Sequence, residues 1–249
     1  MNKTSQLYKE SGSTVSDIVR SDYRTADVFK KHGINFCCSG NISLEAACSV
    51  RNIDSAKVVE ELEEATRSIC LPNSLRFTEW KIGFLADYIQ HVHHDYLYHA
   101  MPSLDSSLQS FILGHKKKYP ELEQMSDAFS KLSKILLAHI RHEDEIIFPY
   151  VRQIEAAHRR NEPYGNLLVR TLRKPIGNIE REHGQIAELL KMIKQTASDF
   201  HFPTNACTNH QVIYHRLEEL HEDMIQHMHL ENNILYPKLK EIEQRLLGQ

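Results

Sequence analysis

The sequence has no long apolar stretch: nothing approaches the ~18 consecutive apolar residues that a membrane-spanning helix needs. Met1-Asn2-Lys3-Thr4-Ser5-Gln6 carries no apolar core, so no secretory signal is read there and a cytoplasmic protein is expected. Cysteine is scarce and odd in number, five in 249 residues with two of them adjacent, which does not make a disulfide framework. Neither charge dominates: 30 Lys and Arg against 33 Asp and Glu give −3, with no basic excess for nucleic acid or an anionic membrane. Glycine and proline are few, nine and eight, among abundant Leu, Ala, Glu, Lys and Ile. That balance favours helices and an all-α fold.

What the chain has in excess is histidine, sixteen of them, and a phrase written twice. The first copy runs from His139 through Glu143 to Ile146-Ile147-Phe148-Pro149; the second runs from His227 through Glu231 to Ile234-Leu235-Tyr236-Pro237. Each reads His-x3-Glu-x2-Ile-[Ile/Leu]-[Phe/Tyr]-Pro, and the copies lie 88 residues apart. Positions i and i+4 share a helix face, so each copy sets an imidazole beside a carboxylate. A single His–Glu pair is as readily a surface ion pair. Two, with the same aromatic and proline behind them, point to a site at a bundle axis, because buried acids need compensation. The proline frees a backbone carbonyl and predicts a bend.

Ahead of Asn73 the chain reads as a small helical domain, residues 1–73. Thr14 or Ser16, Asp22, Ser43 and Asp54 are placed to cap successive short helices, and Gly33 to end the second. Between them, Ile34-Asn35-Phe36-Cys37-Cys38-Ser39-Gly40 is a turn with two vicinal thiols. Adjacent cysteines close only a strained ring. They are either packing residues or a pair that handles iron or nitric oxide. Cys48, Cys70 and Cys207 have no partner at ligand spacing and are read as structural.

Residues 74–249 read as four long helices. The first is expected from Thr78, with Trp80, Phe84, Leu85 and Tyr88 as its apolar stripe, His91, His93, His94 and His99 behind them, and a bend or restart at Pro102. The second runs from Pro120 through the His139–Glu143 pair to about His158, and a loop with Asn161, Pro163 and Gly165 follows. The third starts at Pro175, with His183 on its apolar face, and the fourth near Asn205 or Thr208. His94 lies 89 residues before His183, nearly the 88 that separate His139 from His227, and His91 and His93 break that register. The repeat selects six residues on four helices: His94, His139, Glu143, His183, His227 and Glu231.

Six such side chains exceed a structural zinc site, and no thiol joins them. Two metals sharing Glu143 and Glu231, with two imidazoles each, fit the pseudo-twofold. Mixed nitrogen and oxygen donors favour iron or manganese. Two ferrous ions and two carboxylates leave positive charge for an oxo or hydroxo bridge or for nearby acids to offset, with Glu180 and Glu182 as candidates.

These residues resemble the haemerythrin-like fold and, more closely, the iron–sulfur cluster repair di-iron proteins. In front the resemblance rests on Ala26-Asp27-Val28-Phe29 and on His32 through Gly40. Behind, it rests on His94-Asp95, His139-x3-Glu143-x4-Phe148-Pro149, Glu182-His183 and His227-x2-Leu230-Glu231-Asn232-Asn233. It implies a haemerythrin-like four-helix bundle behind a small helical domain. It also implies two non-haem iron ions, oxo- or hydroxo-bridged and bridged by Glu143 and Glu231, with Cys37 and Cys38 as the family's paired thiols. The implied activity is repair of clusters damaged by nitrosative or oxidative stress, through iron donation to damaged iron–sulfur proteins. An O2 or NO carrier or sensor and an NO reductase are the alternatives, and whether two chains pair stays open. True haemerythrins carry a second His one turn after the third-helix ligand, where this chain has Ala187.

Overall fold

The structure is a computed structural model, and it describes residues 13–37, 40–67, 75–172 and 176–248. Among these no strand forms, apart from an isolated bridge between Thr14 and Ser43. The fold is all-α, as the composition predicts, and no described helix is long and apolar enough to cross a membrane.

Two compact units divide the chain: Met1–Pro72 with Phe200–Leu217, and Asn73–Asp199 with Glu218–Gln249. The first holds α1 (Val15–Ser21), α2 (Thr25–Lys31), α3 (Leu44–Val50) and α4 (Ser55–Ala65). Thr14 caps α1 through a reciprocal bond with Asp17, and Ser43 and Asp54 cap α3 and α4 through the amides of Ala46 and Ala56. Asp22 does not cap α2. Its carboxylate accepts from the Arg24 amide and guanidinium instead, and the helix begins at Thr25. Gly33, at φ +64°, supplies the left-handed residue that closes α2.

A single cut between residues 73 and 74 does not describe this division, because residues 200–217 group with the first unit. Val212 is buried with Val15, Ile18, Phe29, Leu44 and Leu62 in that unit's core. The Ser16 and Thr208 hydroxyls meet at 2.9 Å, and Arg216 pairs with Asp27. Helical periodicity announces that a face is apolar and is silent about which neighbour covers it.

The second unit is a four-helix bundle. Its first strut is α5 (Ile82–Tyr88), a π-helical segment (Ile89–His94) and α6 (Asp95–His115). Its second is α7 (Glu121–His142), a π segment (Glu143–Ile147) and α8 (Phe148–Arg160). After α9 (Gly165–Leu172) comes the third, α10 (Ile176–Thr196), and the fourth is the part of α11 (Thr208–Leu230) from Glu218 onward, a π segment (Glu231–Leu235) and α12 (Tyr236–Leu247). The first strut starts at Ile82, since residues 77–79 make a separate 3₁₀ turn. It departs from α geometry at residues 89–94 and not at Pro102, which α6 carries in its interior. The expected loop around Gly165 is α9, which packs on α8 and α12. α7 packs along α10, and α6 along α7.

The two π segments of the repeat begin at its acids. Phe148 donates its amide to the Glu143 carbonyl and Tyr236 its amide to the Glu231 carbonyl, five residues back in each case. The wider turn returns the fifth residue, not the fourth, over the acid, so Glu143 and Phe148, and Glu231 and Tyr236, are all buried on the core side.

Candidate metal centre

All six histidines and glutamates selected by the repeat lie mid-bundle, each at most 4% exposed. Ile82, Leu85, Ile89, Ile147, Phe148, Leu235 and Leu239 close one end over them. Leu97, Met101, Leu132, Leu136, Ile186 and Met224 are buried along the same helices in the other direction. His91 and His99 are exposed and stand outside the cluster.

The six residues form two sets of four that share both acids: His94, His227, Glu143 and Glu231, and His139, His183, Glu143 and Glu231. One ligand atom from each member of a set lies within 4.8 Å of the others. Glu231 divides its oxygens between the sets, Oε1 at 3.1 Å from His227 Nε2 and Oε2 at 3.2 Å from His183 Nε2. Glu143 turns a single oxygen to both, Oε2 at 3.5 Å from His94 Nε2 and 3.4 Å from His139 Nε2. Its Oε1 accepts a 2.6 Å bond from the buried Tyr236 hydroxyl.

The outer nitrogens fix what the inner ones are. His139 Nδ1 lies 2.7 Å from Glu182, His94 Nδ1 2.7 Å from Asp144, and His183 Nδ1 2.8 Å from Asn232 Oδ1. A carboxylate or amide oxygen only accepts, so each of these Nδ1 atoms carries the proton and each Nε2 is a lone pair in the neutral ring. Yet His139 and His183 face each other Nε2 to Nε2 at 2.9 Å, and His94 and His227 at 3.1 Å. Facing lone pairs repel unless a cation lies among them. Glu143 Oε2 and both Glu231 oxygens are buried without a hydrogen-bond partner. Imidazole nitrogens together with harder carboxylate oxygens, all dry and converging, suit a transition metal.

With no metal, protons take the cation's place. Burial works to lower the pKa of His94, but Asp144 and Glu143 outweigh it and raise it to about 9; for His183, Glu231 does the same, also to about 9. Burial works to raise Glu231, but His227 and His183 hold it well below the ordinary value. Burial and the Glu143 and Glu231 charges push Tyr236 upward, so the phenol keeps its proton. The unfolded chain returns both imidazoles to about 6.5. Their stabilising share is therefore complete below pH 6.5 and lost as the pH rises through about 9. Metal-free protein is expected to lose denaturant resistance across that interval, read from urea midpoints. Metal uptake at pH 7 is expected to release protons, measurable in weakly buffered solution.

Of the acids considered from sequence, Glu182 stands behind His139, whereas Glu180 pairs with Lys240 at the surface. The sequence reading gave Asp144 and Asn232 no role at the site, although each directly follows a repeated glutamate. Cys37 is half-buried, its amide donating to Asn35 Oδ1, and Cys48 is buried, its thiol pKa raised by burial. Cys38 and Cys70 lie outside the described residues.

Residues 85–239 match the family model described as the Hemerythrin HHE cation binding domain, more than half of the chain. The chain belongs to the hemerythrin HHE family. Residues 11–66 of this hemerythrin-like chain match a second model, ScdA_N, described as a Domain of Unknown function. Similar proteins include the iron–sulfur cluster repair protein ScdA of Staphylococcus haemolyticus, 28% identical over 91% of this chain and 97% of that one. The protein of the same name from Staphylococcus epidermidis is 27% identical over 90% and 96%. The iron–sulfur cluster repair protein YtfE of Enterobacter sp. strain 638 is 26% identical over 90% and 94%.

Proposed function

We propose that this hemerythrin-family chain holds two iron ions and supplies iron to iron–sulfur clusters damaged by nitrosative or oxidative stress. The carrying observation is the pair of ligand sets that share Glu143 and Glu231. His94 and His227 would hold one ion, His139 and His183 the other, with both carboxylates between them. The repair names of relatives that align along nearly the whole chain support the same reading. Bound iron supplies the cargo and open positions for small molecules such as NO or O2. The protein's own atoms do the rest. Asp144, Glu182 and Asn232 hold imidazole tautomers, Tyr236 orients Glu143, and the apolar residues on either side keep water out. A dry site raises the cost of an unpaired acid, so cation and fold support one another.

The paired thiols Cys37 and Cys38 are assigned to the same reaction, as the group that receives iron or meets NO. Iron-loaded protein incubated with a nitric-oxide-damaged cluster enzyme tests both assignments. The donor reading expects the enzyme to recover while this chain loses iron in proportion, and Cys37→Ser with Cys38→Ser to slow that recovery. Recovery without iron loss contradicts donation. Full recovery with the double variant removes the thiols from the reaction.

A further inference from the structure

The internal repeat holds for the six candidate ligands and breaks in what stands behind them. Asp144 and Asn232 match across it, 88 residues apart, and each meets the outer nitrogen of an imidazole. Glu182, the residue before His183, meets the outer nitrogen of His139 at 2.7 Å. Its counterpart is the residue before His94, and that residue is His93.

His93 does not do what Glu182 does. It is 2% exposed, lies parallel to the His227 ring at 5.6 Å between centroids, and turns its own Nδ1 to Asp223 Oδ1 at 2.8 Å. Buried His227 Nδ1 consequently has no hydrogen-bond partner. In the His139–His183 set both imidazoles are braced from behind. In the His94–His227 set only His94 is. A bond to the outer nitrogen fixes the ring's orientation and tautomer and makes the inner nitrogen a better donor, and losing one costs about 10–100-fold in metal affinity.

We propose that the two metal positions are unequal and that His93, as a positioning residue, makes them so. The position built on His94 and His227 holds its ion more weakly and gives it up first. Asp223 enforces the difference by holding the His93 ring flat against His227, where it cannot accept the proton that Glu182 accepts from His139. The inference rests on the di-metal reading above and names which of its two ions is the first to leave.

The test follows metal loss from anaerobically iron-loaded protein into excess chelator, with the iron that remains characterised by Mössbauer spectroscopy. The expected course has two phases of equal amplitude with rates about tenfold or more apart. The double variant His93→Glu with Asp223→Asn gives His227 the missing acceptor and removes the acid that would repel it. It is expected to slow the fast phase toward the slow one. Glu182→Gln weakens the other set and is expected to speed the slow phase toward the fast one. It decides the matter should the double variant not fold, as judged by circular dichroism. Two ions leaving in a single phase overturn the inequality and spare the di-metal reading, as does a fast phase unchanged in the folded double variant. A folded chain that holds fewer than two ions overturns both.

Discussion

Glu143→Gln and Glu231→Gln are each expected to cost the protein both metal ions, whereas His94→Ala or His139→Ala costs chiefly one. The imidazoles divide between the two sets, but the carboxylates belong to both, and Glu231 turns one oxygen to each. Removing only the partner behind a ligand costs about 10–100-fold in affinity, so removing a shared ligand is expected to exceed about 100-fold at both positions. Glutamine keeps the volume and avoids a cavity. At position 143 it keeps an acceptor for the Tyr236 hydroxyl, so circular dichroism is expected to show both variants folded. Glu143→Ala is a harsher change than Glu231→Ala. It strands that buried phenol, worth about 1–3 kcal/mol, and Glu231 has no hydroxyl partner to strand. Metal content by elemental analysis reads the first effect and urea midpoints the second. Loss of one ion from either Gln variant contradicts shared carboxylates.

Stripping the metal is expected to lower the melting temperature of the bundle unit by about 10–20 °C. Ions bound only by the folded state, each at about a hundredfold over its dissociation constant, contribute about 2.7 kcal/mol apiece. For a domain of this size each kcal/mol is worth about 2–4 °C. The loss should be local. Amide exchange is expected to quicken in the π segments at residues 89–94, 143–147 and 231–235, which carry His94, Glu143 and Glu231, and to stay unchanged in α1 to α4. An apo protein that melts with the holo form, its exchange unaltered, contradicts the metal as a structural partner.

The candidate site was more legible than the architecture around it, for a physical reason. Metal binding demands particular side chains at helical spacing, and the duplication supplies its own control. The 88- and 89-residue offsets set His94 apart from His91 and His93 with no knowledge of the fold. The same comparison, carried one residue further, reaches Asp144 with Asn232 and Glu182 with His93. Proline at 149 and 237 announced a departure from α geometry, and the departure is a widened turn rooted at Glu143 and Glu231. Less legible were features decided by burial between distant segments. α9 was hidden by Pro163 just ahead of it and Gly165 at its first position. Residues 200–217 look like the start of a bundle helix, yet Val212, Thr208 and Arg216 find their partners in the first unit. Asp22 satisfies the composition of a helix cap and is drawn off by the Arg24 guanidinium.

Metal analysis of freshly purified, anaerobically handled protein, read together with its Mössbauer spectrum, bears most directly on the claim that six buried side chains enclose two cations. The account predicts two iron ions per chain, coupled through shared carboxylates and both lost on Glu231→Gln. A fully folded chain competent in cluster repair with no transition metal, or with a single uncoupled ion, would contradict it.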